Sequence, residues 1–134
     1  MNSFNGNIKT IQVNGNLSLV LVEVTPKLQL KAIVIDTSET AAYLQSEAPV
    51  AVLFKETEVI IATAEVPQIS LQNRIPASIV SIEKGALLTK LKLQSDAGVL
   101  IAIISTDSAS RLELQEGKKV IAMIKLNEVM LRGL

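Results

Sequence analysis

The sequence predicts a mainly β protein: two tandem, OB-like, five-stranded β-barrel modules, each with a short helix between its third and fourth strands. Three observations lead to this prediction. Hydrophobic residues make up 49% of the chain and aromatic residues only 2%, and the apolar residues are mostly Val, Ile, Leu and Ala, a composition that favours pleated strands. Strand-like segments alternate with turn-forming Asn, Gly and Pro residues. Finally, the second half of the sequence repeats the first.

The repeat sets the predicted domain organisation. Over residues 28–61, an offset of 70 aligns the two halves without a gap and pairs Leu30 with Leu100 and Lys55 with Lys125. Upstream the offset becomes 71, as a one-residue insertion or deletion near the first hairpin turn would explain. We therefore predict a divergent first module over residues 1–64 and a second over 65–134, joined by a linker at 64–68. Modules this small bury little core, so they are expected to pack on each other or on other subunits.

In the first half, strands are predicted at residues 7–13, 17–24, 28–35, 50–55 and 59–62. Asn14, Gly15 and Asn16 form a strong hairpin signal because these residue types tolerate positive φ. After the third strand, residues 36–39 resemble a helix start, where short polar side chains cap free N–H groups. A short helix is therefore expected over residues 40–44.

The second half repeats this order. Strands are predicted at residues 77–83, 86–94, 99–106, 119–126 and 129–131, with turns at 83–85 and 96–98. A short helix is expected over 108–114, followed by a turn at Gly117. Five strands with a helix between the third and fourth are typical of a small closed barrel, which also removes exposed sheet edges.

The composition argues against several function classes. Thirteen basic residues balance thirteen acidic ones, whereas a nucleic-acid binder normally depends on a basic face. Phe4, Tyr43 and Phe54 alone leave few platforms for base stacking. The chain has no His and no Cys, so the usual zinc, iron and copper ligand sets are missing. Because there is also no nucleophile–base constellation, we do not expect an enzyme.

The sequence shows no targeting or membrane segment. The first residues lack a basic region followed by a long apolar run. The apolar stretch over residues 13–24 is interrupted by Asn, Gly, Ser and Glu and is too short to span a bilayer. We therefore expect a cytoplasmic, soluble protein with no membrane partner and no nucleic-acid partner.

The second half also carries an ordered series of short motifs. It opens at Ser70 with Ser-Leu-Gln-Asn-Arg-Ile-Pro-Ala, continues at Ile82 with Ile-Glu-Lys-Gly-Ala, and closes at Val129 with Val-Met-Leu. In order and spacing this series resembles the Mop, or molbindin, module, the TOBE-type oxyanion-binding fold. The matching positions are Ser70, Asn73, Ile75, Ile82, Glu83, Gly85, Ala86, Thr106, Leu112, Leu114, Gly117, Ile124, Lys125, Val129 and Leu131.

The tandem arrangement resembles a di-Mop molybdate-binding protein. The resemblance implies a homo-oligomer, expected to be a trimer, that holds molybdate or tungstate at interfaces between modules. It implies storage or buffering of these oxyanions, with molybdate or tungstate as ligand, no organic cofactor and no bound metal cation. The alternative is a ligand-sensing or oligomerisation domain of a molybdate-responsive regulator or transporter system, although the chain contains neither a helix-turn-helix region nor a Walker motif.

The chain departs from the family pattern at several positions. The family arginine is Gln72 here and the family glycine is Ala77, while Arg74 lies two residues further on. In the first half only Asn2, Ser3 and Phe4 precede the first turn, and Ser3 does not align with Ser70. The first copy is therefore expected to lack the opening loop, which would alter or remove up to half of the sites.

The resemblance assigns the predicted oxyanion-binding residues. The opening loop contributes Ser70, Gln72 and Asn73, and Lys125 ends the fourth strand of the second module, with Lys55 as its repeat partner. A tetrahedral dianion requires N–H and O–H donors in a fixed concavity, and a lysine adds a point charge.

Hydroxyl donors near the two predicted helix starts complete the set: Thr106 and Ser108 in the second half, and Ser38 in the first. Each of these residues also has a purely structural interpretation. A Ser or Thr before a helix is most often a cap, and a lysine at a strand end is most often a solvated edge residue. The functional interpretation of Lys55 and Lys125 is favoured because both copies of the repeat retain a lysine at this position.

Overall fold

Ten strands form two five-stranded antiparallel sheets in the computed structural model, which describes residues 1–63 and 68–134. The first half contributes β1 (Asn2–Asn14), β2 (Leu17–Thr25), β3 (Leu28–Val34), β4 (Pro49–Phe54) and β5 (Ile60–Thr63). The second half contributes β6 (Asn73–Lys84), β7 (Leu88–Ser95), β8 (Gly98–Ser105), the helix α1 (Thr106–Arg111), β9 (Lys119–Ile124) and β10 (Met130–Gly133). Short 3-10 helices at Glu56–Glu58 and Leu126–Glu128 precede β5 and β10.

The predicted fold class is confirmed. The strand order is β10-β4-β1-β2-β3 in the first sheet and β5-β9-β6-β7-β8 in the second. β10 also lies close to β3, and β5 close to β8, so both sheets curl towards barrel closure. Most of the predicted linker, residues 64–67, lies outside the described residues. No helix in the described ranges is long and apolar enough to cross a membrane.

Each half gives its last strand to the sheet of the other half. β5 pairs with β9, with Ile60 opposite Met123, and β10 pairs with β4, with Met130 opposite Leu53. The predicted division at residues 64 and 65 describes the repeat in the sequence, but each sheet takes strands from both sides of it. The exchange gives both halves one continuous hydrophobic core, in which Phe4 and Phe54 lie with ring centroids 5.9 Å apart.

β1 and β6 begin five and four residues earlier than predicted, at Asn2 rather than residue 7 and at Asn73 rather than residue 77. Both early segments alternate buried and exposed positions, as a strand with one face on the core does. Polar residues at the buried positions hid this alternation, since Asn2 and Asn73 are 6% and 1% exposed.

The helix expected at residues 40–44 is absent, whereas its counterpart in the second half forms as α1. In α1, Ser105 is the N-cap, and its Oγ accepts a hydrogen bond from the Ser108 N–H at 3.0 Å. The repeat places Ile35, which has no acceptor, at the position of Ser105. In the first half the Thr37 N–H donates to Thr40 Oγ1 at 2.9 Å, so local side-chain bonds stabilise turns instead of a helix.

Two buried asparagines join the halves by the same pattern of hydrogen bonds. Asn73 Nδ2 donates to the Lys31 carbonyl at 2.8 Å, and Asn73 Oδ1 accepts from the Lys31 N–H at 2.7 Å. Asn2 makes the equivalent pair with Ile101, at 2.8 Å in both directions. We call these contacts the asparagine clamps. They occupy main-chain groups of β3 and β8, the last strands of their sheets, which would otherwise present unpaired polar groups.

Replacing a clamp asparagine should destabilise the fold. Asn73→Ala leaves the Lys31 N–H and carbonyl without their partners, and an unsatisfied buried polar group costs about 1–3 kcal/mol. Chemical denaturation should therefore show a loss of this size in the free energy of unfolding. Asn5→Ala is the matched control, because Asn5 is exposed on β1, and it should change stability by less than about 0.5 kcal/mol. Equal small losses in both variants would contradict a stabilising role for the clamp.

Candidate functional site

The opening loop, residues 68–72, leads directly into β6 and is held by Arg74. The Arg74 Nε donates to the Leu71 carbonyl at 3.0 Å, and its Nη2 donates to the Ile69 carbonyl at 3.2 Å. Ser70 and Gln72 are exposed on this loop. Two of the predicted site residues are therefore presented to solvent by a loop whose carbonyls are fixed by a guanidinium group.

Asn73 differs from Ser70 and Gln72 because it is buried. Its side chain is 1% exposed and bonds to both main-chain groups of Lys31. An amide has two N–H donors and two acceptor lone pairs, and the clamp uses one donor and one acceptor. The structure thus gives Asn73 a role in joining the halves, and its predicted role as an oxyanion donor stays a prediction.

Lys125 lies beside the opening loop. Asn73 is paired with Ile124 across β6 and β9, so Gln72 precedes β6 and Lys125 follows β9 at the same end of this strand pair. The Lys125 carbonyl accepts from the Glu128 N–H at 3.0 Å and begins the 3-10 helix Leu126–Glu128, which packs against β3. The Lys125 side chain is exposed. The fold therefore brings Gln72, Lys125 and the Asn73 clamp to one end of the second sheet.

Lys55 occupies the equivalent place in the first half, with different neighbours. Asn2 is paired with Phe54, and Lys55 follows as an exposed residue. The next residue is Glu56, where the second half has Leu126. The Glu56 carboxylate accepts from the terminal amino group at 3.0 Å, and this hydrogen bond is the main cause that lowers the pKa of Glu56. The Glu56 carboxylate next to Lys55 forms an ion pair with the terminal amino group, so the charged neighbours of Lys55 differ from those of Lys125.

Thr106 and Ser108 lie at the far end of β6 from the opening loop. Thr106 Oγ1 donates to the Gly85 carbonyl at 2.8 Å and also lies 2.9 Å from Thr89 Oγ1. Ser108 Oγ accepts from Ser105 Oγ at 2.8 Å. Neither precedes the helix as predicted, since both lie inside α1 and Ser105 is the cap. Within one chain these hydroxyls are separated from the opening loop by the length of β6, twelve residues.

Ser38 lies in an exposed turn after β3. The Thr40 hydroxyl in this turn donates to the Asp36 carboxylate at 2.9 Å, and Glu39 follows Ser38 directly. Burial, and secondly the charge of Asp36, raises the pKa of the nearby Tyr43. Because carboxylates surround Ser38, its predicted role in anion binding has the least support from its surroundings.

Sequence reasoning missed two features near the opening loop. An open depression of about 440 Å³ lies between the loop and the first sheet, and Gln29, Lys31, Gln72 and Arg74 are among its lining residues. No local pattern could have indicated it, because Gln29 and Lys31 belong to the other half of the chain. Asn2 was also missed, although an offset of 71 pairs it with Asn73. The first copy therefore retains the asparagine of the opening motif.

The described residues contain no group of three or more His, Cys, Asp or Glu side chains that could hold a metal ion. The candidate site is instead a set of neutral and cationic donors: the Ser70 hydroxyl, the Gln72 amide and the Lys125 ammonium group. Such a set donates hydrogen bonds to an anion, and the ammonium group offsets part of its negative charge.

Comparison with known proteins identifies the module. A family model described as the TOBE domain matches residues 69–131. Molybdenum-pterin-binding proteins 1 and 2 of Clostridium pasteurianum are 34% and 33% identical over 64 residues, which cover 47% of this chain and 94% of each relative. The crystal structure of the cytoplasmic molybdate-binding protein ModG, with molybdate bound, matches with a TM-score of 0.91 at 21% identity, over 99% of this chain and 95% of that one.

The two kinds of similarity agree with the repeat. The ModG match extends over both halves and shows the same fold for the whole chain, whereas the clostridial relatives are the length of one module. The chain therefore belongs to the TOBE-type Mop family of the clostridial molybdenum-pterin-binding proteins, and it carries the module of that family twice.

Proposed function

We propose that this protein binds molybdate or tungstate and acts as a cytoplasmic store or buffer for these oxyanions. One geometric observation supports the proposal: Gln72 precedes β6 and Lys125 follows β9 where Asn73 and Ile124 are paired, at the end of the second sheet next to the exposed loop that carries Ser70. The choice of ligand rests on the family, whose clostridial members are named for molybdenum-pterin binding.

The donor set suits a tetrahedral dianion. Molybdate offers four acceptor oxygens, to which hydroxyl and amide groups donate, while an ammonium group offsets part of the negative charge. Main-chain N–H groups of a loop that precedes a strand are further donors. The chain as a whole has no net charge, so attraction of the ligand depends on local arrangement and not on a general basic surface.

A site that combines the opening loop with the hydroxyls of Thr106 and Ser108 requires more than one chain. The opening loop and the hydroxyls of Thr106 and Ser108 lie at opposite ends of β6, so a single chain does not bring them together. Exposed apolar side chains also remain on the single chain, among them Leu17, Ile35 and Leu87 at 44%, 73% and 82% exposure. Assembly as the homotrimer that the resemblance implies would cover such surface and would join the two donor groups across an interface.

The trimer is tested by the mass of the protein in solution. Light scattering coupled to size-exclusion chromatography should give three times the chain mass of 14.4 kDa, roughly 43 kDa, at micromolar concentration. Burial of the exposed apolar residues is the reason for stable association. A mass of one chain under these conditions would refute both the trimer and the shared site.

Ligand choice is tested by thermal unfolding. An anion that binds only the folded protein stabilises it by about 2.7 kcal/mol at one hundred times its Kd, which is roughly 10 °C in Tm for a chain of this size. Molybdate and tungstate should produce such shifts in scanning calorimetry, and sulfate and phosphate at equal concentration should produce much smaller ones. Similar shifts from all four anions would indicate a general anion site.

The two lysines provide a matched pair of variants. Lys125→Ala removes a charged contact to the ligand, and a hydrogen bond to a charged group contributes about 1.5–3 kcal/mol, so calorimetric titration should show a ten- to hundredfold rise in Kd. Lys55→Ala should have a smaller effect, because the first copy is expected to lack the opening loop that supplies Ser70 and Gln72. Light scattering should show the same assembly for both variants.

The opposite result reverses the assignment. If Lys55→Ala abolishes molybdate binding and Lys125→Ala leaves it intact, the site lies at the first-half position. Unchanged titrations for both variants would mean that the two lysines are solvated strand-end residues and that the proposed site is wrong.

A further inference from the structure

The depression between the opening loop and the first sheet carries a concentration of positive charge. Lys31 and Arg74 both line it, with Gln29 and Gln72 as neutral polar neighbours, and its lining residues include no Asp or Glu. The described ion pairs involve neither Lys31 nor Arg74. Two cations thus line an open space of about 440 Å³ that has no carboxylate among its described lining residues, and Glu23 lies across the strand pair from Gln29.

Both cations are positioned by contacts that leave donors free. The main chain of Lys31 is held by the Asn73 clamp at 2.7 and 2.8 Å, which leaves its ammonium group available. Arg74 uses two N–H donors on the carbonyls of Leu71 and Ile69. A guanidinium group has five donors, so these two contacts leave three.

The internal repeat shows that the fold does not require this charge. At the equivalent clamp in the other half, Ile101 takes the place of Lys31 and Ser3 takes the place of Arg74. That clamp has the same bond lengths to within 0.1 Å. The register also places Lys92 at the position of Leu21, and the offset of 71 places Met1, whose terminal amino group is paired with Glu56, at the position of Gln72.

Two cations beside amide donors match a tetrahedral dianion in charge and in hydrogen-bonding capacity. We propose that this depression is an oxyanion-binding subsite in which Lys31, supplied by the first half, binds the anion together with Arg74 at the edge of the opening loop. For its ligand this inference rests on the proposed function, since it names molybdate or tungstate as the anion. It adds residues from the first half to a site that otherwise uses only the second.

The test compares two lysines that differ in place but not in charge. Lys31→Met keeps the aliphatic stem and leaves the main-chain clamp intact, and it should raise the Kd for molybdate ten- to hundredfold in calorimetric titration. Lys31→Glu should abolish measurable binding. Lys92→Met removes the same charge at the equivalent region and should retain the wild-type Kd. Melting temperatures without anion should agree among wild type, Lys31→Met and Lys92→Met, which separates a binding effect from unfolding.

The outcomes distinguish this inference from the proposed function. If wild type binds molybdate and Lys31→Met binds it equally well, the subsite is wrong while the proposed function stands. If Lys31→Met and Lys92→Met weaken binding by the same factor, the effect is one of overall charge and the subsite is also wrong. If wild type binds sulfate but neither molybdate nor tungstate, and Lys31→Met loses sulfate, the subsite is supported and the proposed function fails. Absence of binding by wild type for all these anions overturns both.

Discussion

The exchange of the last strands determines how the rest of this molecule is built. β5 completes the sheet of the second half and β10 completes the sheet of the first, so β9 and β4 are each paired with main chain from the other half. A five-stranded sheet from under seventy residues encloses little apolar surface. By exchanging strands, the two halves enclose a common core and avoid two separate, marginal ones.

The exchange also fixes the surroundings of the candidate site. Since the second half lies against the first, the start of β6 reaches the free side of β3, where the Asn73 clamp closes the strand edge. The opening loop is then adjacent to a strand that is more than forty residues earlier in the sequence, counting from Lys31 to Asn73. A contact that stabilises the fold thus places a cation of one half beside the donor loop of the other.

The internal repeat has preserved the structural contacts more strictly than the charges around them. Both clamps are present with nearly the same geometry. In the alignment of the two halves, however, Ile101 corresponds to Lys31 and Leu126 corresponds to Glu56. Backbone pairing tolerates these changes because the exposed side chains do not take part in it. The two ends of the molecule are therefore similar in fold and different in their charged side chains, and the proposed function uses the end that carries the opening loop.

The sequence by itself determined the strand positions, the repeat and the family. These follow from local patterns: alternating burial, turn residues, and ordered motifs such as the one at Ser70. Through the resemblance it also proposed Gln72 and Lys125 as site residues, and these residues flank the pair Asn73 and Ile124 in the observed register. The helix that the sequence predicts at residues 40–44 does not form, because Ile35 has no side-chain acceptor to cap it. Only the tertiary structure decided which strand completes which sheet, since β5 and β10 resemble each other and either could pair with β4 or β9. The tertiary structure also decided the position of Lys31 beside the opening loop. This position depends on packing between distant segments, so no local sequence pattern predicts it.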